Sequence, residues 1–305
     1  IFKTKEDLSR KFLKGYLFMP RIFHMRTNTA ELIKNVTTEI DSVMTALLAL
    51  SNLILELIIL TGLLIFLFFL NFKVTMVSLL LFVAFSYLIA VFNSKKVIIL
   101  GKQRVKTVQT RLKNIIEALT GSKTYEITGL REKAISLFDL DNKKLAKISI
   151  EAYFRNASPK PLIELFTIIV FTIFLIIVNE KNITLGFMIP TLGVFLTAAY
   201  RLIPSFSTII SSLQGYNYNI QAINNLAKDF DKFEKVELTD NSKIQFQKNI
   251  NLKNLSFGYR ENLSLEKNLV LNKITMKINK GEKIGITGKS GSGKSTFIDI
   301  IMGLL

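Results

Sequence analysis

The hydrophobic pattern divides the chain sharply. Residues 43–70 carry one charge, Glu56, in 28 positions, and residues 74–92 carry none in 19. Residues 162–178 carry only Glu164 in 17, and residues 183–213 carry only Arg201 in 31. A helix needs about 17–25 mostly apolar residues to cross the hydrocarbon core of a bilayer, so these runs predict four transmembrane helices. Buried helices of a water-soluble protein are seldom this long and this free of polar positions. Asn71, Phe72 and Lys73 separate the first pair of runs, and Asn179, Glu180, Lys181 and Asn182 the second. Both connections read as tight turns.

The stretch between the two pairs, residues 93–161, has another character. It holds 15 Lys and Arg, and cytoplasmic loops carry the excess of these residues. That places 93–161 inside and the short turns outside. Segment 1–42, with eight basic residues, is also inside, as is everything after residue 213. Val105, Val108, Leu112, Ile115, Ile116 and Leu119 recur at helical spacing. The second membrane helix is therefore expected to continue to about residue 120. Gly121 and Gly129 bracket a short turning segment, and the next helix climbs from about 132 into the span at 162. At ~1.5 Å per residue such a stalk reaches about 40 Å below the membrane.

Composition sharpens this picture. The 305 residues are 49% hydrophobic yet carry a net charge of +17, with a mean hydropathy of +0.35. That combination excludes a disordered chain, a coiled coil and a single soluble globule. The basic residues flank the apolar runs and form no patch interleaved with aromatics, so no nucleic-acid partner is expected. With no Cys there is no disulfide framework, thiolate metal site or Cys nucleophile. His24 is the sole histidine, which argues against a histidine metal site or a Ser-His relay; it reads as a polar surface residue. The chain opens at Ile1 on an amphipathic stretch and not on a signal peptide. It reads as an internal piece of a longer protein.

The sharpest chemical signal is near the end. Gly288, Lys289, Ser290, Gly291, Ser292, Gly293, Lys294 and Ser295 fit G-x-x-x-x-G-K-[ST], followed by Thr296. Ile284 to Thr287 read as a short strand before the motif. Phe297, Ile298, Ile300, Ile301 and Leu304 follow it at helical spacing. Glycines let backbone N–H groups curl around phosphate oxygens, and a helix beginning near Lys294 aims its positive dipole end at them. Lys294 neutralises charge at the β- and γ-phosphates, and the Ser295 hydroxyl is the expected Mg²⁺ ligand. Upstream, residues 249–259 and 269–278 alternate as strands, with a turn at Asn279–Glu282. Tyr259 ends the first strand, where an aromatic side chain either packs or stacks on adenine.

These features together resemble the ATP-binding cassette (ABC) exporters that fuse a membrane domain to a nucleotide-binding domain. The resemblance is carried by the order of spans, stalk, spans, linker and cassette, by EALTGSKTYEITGLREKAISLF, by NLSFGY and by GKSGSGKST. It implies a multi-domain chain. An α-helical transmembrane exporter domain (spans three to six with their cytoplasmic stalks) precedes the truncated start of an α/β P-loop nucleotide-binding domain. The expected boundaries are 1–228 for the membrane domain, 229–248 for a linker and 249–305 for the cassette. The resemblance further implies ATP and Mg²⁺ as cofactors and Tyr259 as the adenine-stacking aromatic. It makes residues near 24–32 and 122–131 the two coupling segments. The implied partners are a second copy of the transporter or a paired half-transporter, membrane lipids and an unknown cargo, in a multi-pass protein of the cell membrane with its cassette in the cytoplasm. The family's Gln loop, signature, second acidic motif and switch His do not occur within these residues, so they do not complete a hydrolytic site by themselves.

RTNTAELIKNVTTEID, NLILELIIL and AAYRLIPSFSTIISSLQGYN look closest to exporters that flip lipid-linked oligosaccharides. Multidrug, lipid and peptide exporters share the architecture. A membrane-anchored P-loop regulator that transports nothing is the alternative of another class. Counted from the outer ends of their runs, Glu56 and Glu164 lie about 21 Å deep and Arg201 about 27 Å. All three fall in the cytoplasmic half of a ~30 Å core. Either Arg201 snorkels to the inner headgroups with each glutamate solvated near its helix end, or Arg201 lines the cargo cavity, held by a glutamate, and meets an anionic headgroup.

Overall fold

A computed structural model describes residues 2–70, 72–180, 185–234, 246–259 and 269–305. The turn residues Asn71 and 181–182, and the Arg201 side chain, lie outside the described residues. The chain falls into two compact units that do not follow chain order. One is Ile1–Leu13 with Ala30–Asp231, and the other is Lys14–Thr29 with Lys232–Leu305.

Ten helices and two strands are described. They are α1 (Phe2–Leu17), α2 (Arg21–Arg26), α3 (Thr29–Lys34), α4 (Ile40–Leu70), α5 (Phe72–Thr120), α6 (Ser122–Thr128), α7 (Arg131–Ala157), α8 (Pro159–Glu180), α9 (Leu185–Glu234), β1 (Asn249–Phe257), β2 (Leu271–Asn279) and α10 (Lys294–Ile301). The expected stalk is there. α5 runs unbroken from the apolar run to Thr120, and α6 occupies the turning segment. Gly129, at φ 69°, caps α6 in the left-handed region that glycine adopts without strain. The climb back is not one helix, because α7 stops at Ala157 and α8 restarts at Pro159. A proline lacks the N–H that a continuing helix would use, and it fits a helix's first position. α9 continues to Glu234, six residues into the stretch read as linker.

In the first unit the apolar faces of α4, α5, α8 and α9 meet. Leu60, Leu67, Phe82, Ile89, Ile163, Leu202, Phe206 and Ile210 form the core. Phe82 stacks on Phe206 at 5.6 Å and meets Phe166 edge-on at 5.9 Å. Thr75 Oγ1 donates to the Leu67 carbonyl across the α4–α5 turn. α5 and α7 pair as an antiparallel hairpin: Arg155 donates to Asn93, Arg111 to Asn142 and Asn114 to Asp141. Among the described residues, helices within Thr29–Phe69 and Thr75–Thr120 are long and apolar enough to cross a membrane.

A π-helical turn, Asn35–Glu39, joins α3 to α4. It delivers Lys34, Asn35 and Glu39 into the interior, where each is buried. Arg104 of α5 lies 3.9 Å from Glu39, donates to Ser42 and sits over the Tyr218 ring of α9. Asn35 donates to Asp229. Burial pushes the Glu39 carboxyl above its ordinary value, and the Arg104 and Lys34 charges oppose that shift. Gly101 makes this meeting of α5 and α9 possible: a Cβ there would lie 2.1 Å from the Tyr218 carbonyl oxygen.

In the second unit β1 and β2 pair antiparallel from Asn249–Asn279 to Phe257–Leu271, with register shifts between Leu252 and Phe257. At the shifts the Asn254 amide donates to Thr275 Oγ1 and the Lys273 amide to Ser256 Oγ, which satisfies groups the ladder leaves over. The β2 exit turn forms as expected, with Gly281 at φ 84° and the Asn279 amide donating to the Glu282 carboxylate. Ile284–Thr287 is not a strand, which corrects the expectation from sequence. A strand exists only through ladder hydrogen bonds, and this segment finds no ladder partner among the described residues; Ile284 and Ile286 are exposed.

Candidate nucleotide-binding site

The P-loop is built as its residue types dictate. Gly291 and Gly293 take φ 82° and 87°, left-handed values that residues with a Cβ adopt only under strain. Gly293 is also pressed from outside, since a Cβ would lie 3.0 Å from Leu271 and 3.1 Å from the Val270 carbonyl. Both needs are met by the absence of a side chain. Gly293 ends the loop and α10 begins at Lys294, with the Phe297 amide donating to the Gly293 carbonyl at 2.9 Å.

Lys294 folds back over the loop. Its Nζ donates to the carbonyls of Gly288 at 2.8 Å and Lys289 at 2.7 Å. The ammonium is thereby fixed at the mouth of the loop and does not extend into solvent. Lys289, Ser290, Gly291 and Ser292 are exposed, as is Ser295. The loop thus presents backbone amides, a tethered cation and a hydroxyl on one open face at a helix N-terminus, the donor set a polyphosphate requires. ATP fits this arrangement. For Mg²⁺ the chain offers the Ser295 hydroxyl; no cluster of three acidic or histidine ligands occurs among the described residues. That matches a metal that takes most of its ligands from phosphates and water.

Tyr259 is half-buried just past β1, its ring edge-on to Phe257 at 5.3 Å. Its hydroxyl shares a hydrogen bond of 2.9 Å with Oγ1 of Thr296, a buried residue in the first turn of α10. The predicted aromatic and the predicted phosphate loop are therefore brought together. Two residues that sequence reading did not assign to this site also reach it, Arg26 from within the first expected coupling segment and Arg21 just before that segment. The Arg26 guanidinium donates to the Tyr259 carbonyl, and Arg21 pairs with Asp299 of α10 at 3.3 Å. Asp299 stands three residues after Thr296, on the same face of α10, a spacing visible in the sequence. Its partner, hundreds of residues away, is not.

Of the three charged residues in the apolar runs, the structure describes the side chains of Glu56 and Glu164. Ser205 of α9 donates to Glu56 of α4. Glu56 is thus tied to α9 one turn from Arg201, through a serine that the sequence reading did not single out. Glu164 is half-buried on α8 and has no hydrogen-bond or ion-pair partner among the described residues. The Arg201 side chain lies outside them.

Comparison with known proteins agrees with this construction. The family model of the ABC transporter transmembrane region matches residues 2–216, and that of the ABC transporter matches residues 271–305. The heterocyst differentiation ATP-binding protein HepA of Nostoc sp. is 25% identical over 92% of this chain and 45% of its own length. A putative multidrug export ATP-binding/permease protein, YgaD of Bacillus subtilis, is 23% identical over 98% of this chain and 51% of its own. The structure of a bacterial Atm1-family ABC exporter with ATP bound superposes with a TM-score of 0.74 over 99% of this chain and 52% of that one. At 17% identity that is a likeness of fold. The chain spans about half the length of the curated relatives it matches. The transmembrane-region match covers most of the chain, and the P-loop stands within the second match, so the chain belongs to the ABC transporter family, with the transmembrane region and the start of a nucleotide-binding region joined in one polypeptide.

Proposed function

We propose that this chain forms spans three to six, the stalks and the phosphate loop of an ATP-driven exporter. The observation that carries the proposal is the tethered Lys294 at the mouth of an exposed glycine loop, in a polypeptide whose other part is a transporter's membrane region. In this reading the backbone amides of Gly291 to Lys294 hold the phosphates, and Lys294 neutralises charge at the transferring phosphoryl group. Ser295 would supply one ligand to Mg²⁺, which would neutralise phosphate charge when bound. Thr296 orients the Tyr259 ring, which stacks on adenine. The domain bounds proposed with this reading are those expected from the sequence: 1–228 for the membrane domain, 229–248 for the linker and 249–305 for the cassette. With them come four spans, a cytoplasmic cassette, and a second copy or related half-transporter that completes the ATP site. The names of relatives such as the multidrug export protein support export as the outcome.

In the intact protein, Lys294→Ala is expected to lower ATP turnover by at least about 100-fold. Transport should go with it, and the unfolding temperature should stay unchanged. Wild-type turnover in the variant would overturn the assignment.

The finer proposal concerns cargo. In it, Arg201, one turn along α9 from Ser205, the partner of Glu56, is the residue that binds an anionic headgroup such as the pyrophosphate of a lipid-linked oligosaccharide. A guanidinium fork suits phosphate. Arg201→Ala should then reduce cargo-stimulated ATPase activity more than basal activity, with partial rescue by Arg201→Lys. An equal loss of both would remove Arg201 from the cargo path.

A further inference from the structure

Three contacts in the second unit close a ring. Arg21 pairs with Asp299 on α10, the Tyr259 hydroxyl bonds Thr296 on the same face of α10, and Arg26 donates to the Tyr259 carbonyl. α2, six residues long, supplies both arginines, one at each end. Tyr259 is therefore gripped twice. Its ring end is fixed to the helix that opens the phosphate loop. Its backbone, just past β1, is held by a cation on a helix more than two hundred residues away in sequence. All of these residues lie in the compact unit formed by Lys14–Thr29 and Lys232–Leu305.

The backbone contact is the informative one. Tyr259 is followed by residue 260, outside the described residues, and it lies beyond the last ladder pair, Phe257–Leu271. The sheet therefore does not fix its carbonyl. A half-buried aromatic side chain at the unladdered end of a strand has several rotamers and a backbone free to rotate, so its use as a stacking surface carries an entropic cost at each binding event. A charge-assisted hydrogen bond to the carbonyl of that same residue removes part of this freedom before the base arrives. The salt bridge to Asp299 fixes α2 on the phosphate helix, so the distance from Tyr259 to the phosphate loop is set by the same helix that holds its backbone.

We infer that Arg26 is a positioning residue for nucleotide recognition: it holds the Tyr259 backbone so that the ring stands ready for the base, and it contributes to affinity for the base and not for the phosphates. The inference rests on the reading that Tyr259 stacks on adenine.

The test compares two ligands on the intact transporter. MgATP carries a base; inorganic tripolyphosphate with Mg²⁺ carries the phosphates alone. Arg26→Ala should weaken ATP binding, measured by titration calorimetry, by about threefold to tenfold, the net scale of one ordinary hydrogen bond. Tripolyphosphate affinity should stay within about twofold of wild type. Arg26→Lys, which keeps a single donor, should fall between, and it provides a folded comparison if the alanine variant loses stability. In a Tyr259→Ala background Arg26→Ala should add little, because the two act through one ring. Equal weakening of both ligands, or no weakening of ATP by either Arg26 variant, would overturn the positioning role. Tyr259→Ala separates the two readings. If it selectively weakens ATP while the Arg26 variants do not, the positioning role alone falls. If it leaves ATP affinity intact, stacking at Tyr259 is wrong and the inference falls with it.

Discussion

The protein holds two constellations of charge that look alike in sequence and behave in opposite ways. In the stalk, Lys34, Glu39 and Arg104 are packed between α3, α4, α5 and α9, with Glu39 at 0% and Lys34 at 1% exposure. In the P-loop, Lys294 is half-buried and its neighbours are exposed. The stalk charges face one another, and their partners come from the same interior. The P-loop's cation and amides are tied only to the loop itself, and their other side is open to solvent. Charges buried against one another serve the fold, whereas donors held rigid with an open face serve a ligand. Glycine shows the same division. Gly101 lacks a side chain because the Tyr218 backbone passes close by, while Gly291 has nothing within 4 Å of a would-be Cβ and is demanded by its φ.

The comparison predicts that substitutions separate into those that remove activity and those that remove stability. The largest effect belongs to Lys294→Ala, which should take ATP turnover and leave the unfolding temperature in place. Next is Arg104→Ala. It leaves the buried Glu39 without its guanidinium and opens the contact with Ser42, and the penalty is about 3 kcal/mol. A clearly lower midpoint of thermal or denaturant unfolding, with ATP affinity unchanged, is expected. An unaltered midpoint would mean that Arg104 does not offset the buried Glu39 charge. Gly101→Ala comes third. The added methyl would meet backbone and not a flexible side-chain tip, so α5 and α9 must separate, at about 1–3 kcal/mol, read in the same unfolding experiment.

The smallest effect is a pH dependence. The folded pKa of Glu39 is raised above its ordinary 4.5 by burial. The folded state therefore binds this proton more tightly than the unfolded state does. Glu39 accordingly weakens the fold increasingly as pH rises from about 4.5 toward the raised value, and acidification through that window relieves the strain. Glu39→Gln should flatten this part of the stability profile, and it should gain relative to wild type as pH increases. A profile that runs parallel to wild type across the window would show that the Arg104 and Lys34 charges cancel the burial penalty.

The apolar runs, the long stalk helix to Thr120, the break between Gly121 and Gly129, the β1–β2 pair and the phosphate loop were all legible from residue types and their spacing. Each depends on interactions within a few residues: helical periodicity, strand alternation, and glycines where φ is positive. The break at Ser158 could have been read from Pro159, and the absence of a strand at Ile284–Thr287 could not, because a strand is a relation to a neighbour. The site divides in the same way. Lys294, Ser295 and Tyr259 announce themselves by motif and resemblance. Arg26 on Tyr259, Arg21 on Asp299 and Ser205 on Glu56 join residues 149 to 278 positions apart.

The sequence by itself determined that this chain enters a membrane and carries a phosphate loop, because hydrophobic run length and the loop's backbone geometry are local properties that bulk physics enforces wherever they occur. The tertiary structure alone decided which charges are partners. Lys34 and Glu39 read as ordinary soluble-face residues until the π-turn at Asn35–Glu39 brings them inward beside Arg104 of α5, and Arg26 reads only as part of a coupling segment until α2 sets it on the carbonyl of Tyr259. Electrostatic energy depends on distance and dielectric in three dimensions, and neither is written in the order of the residues.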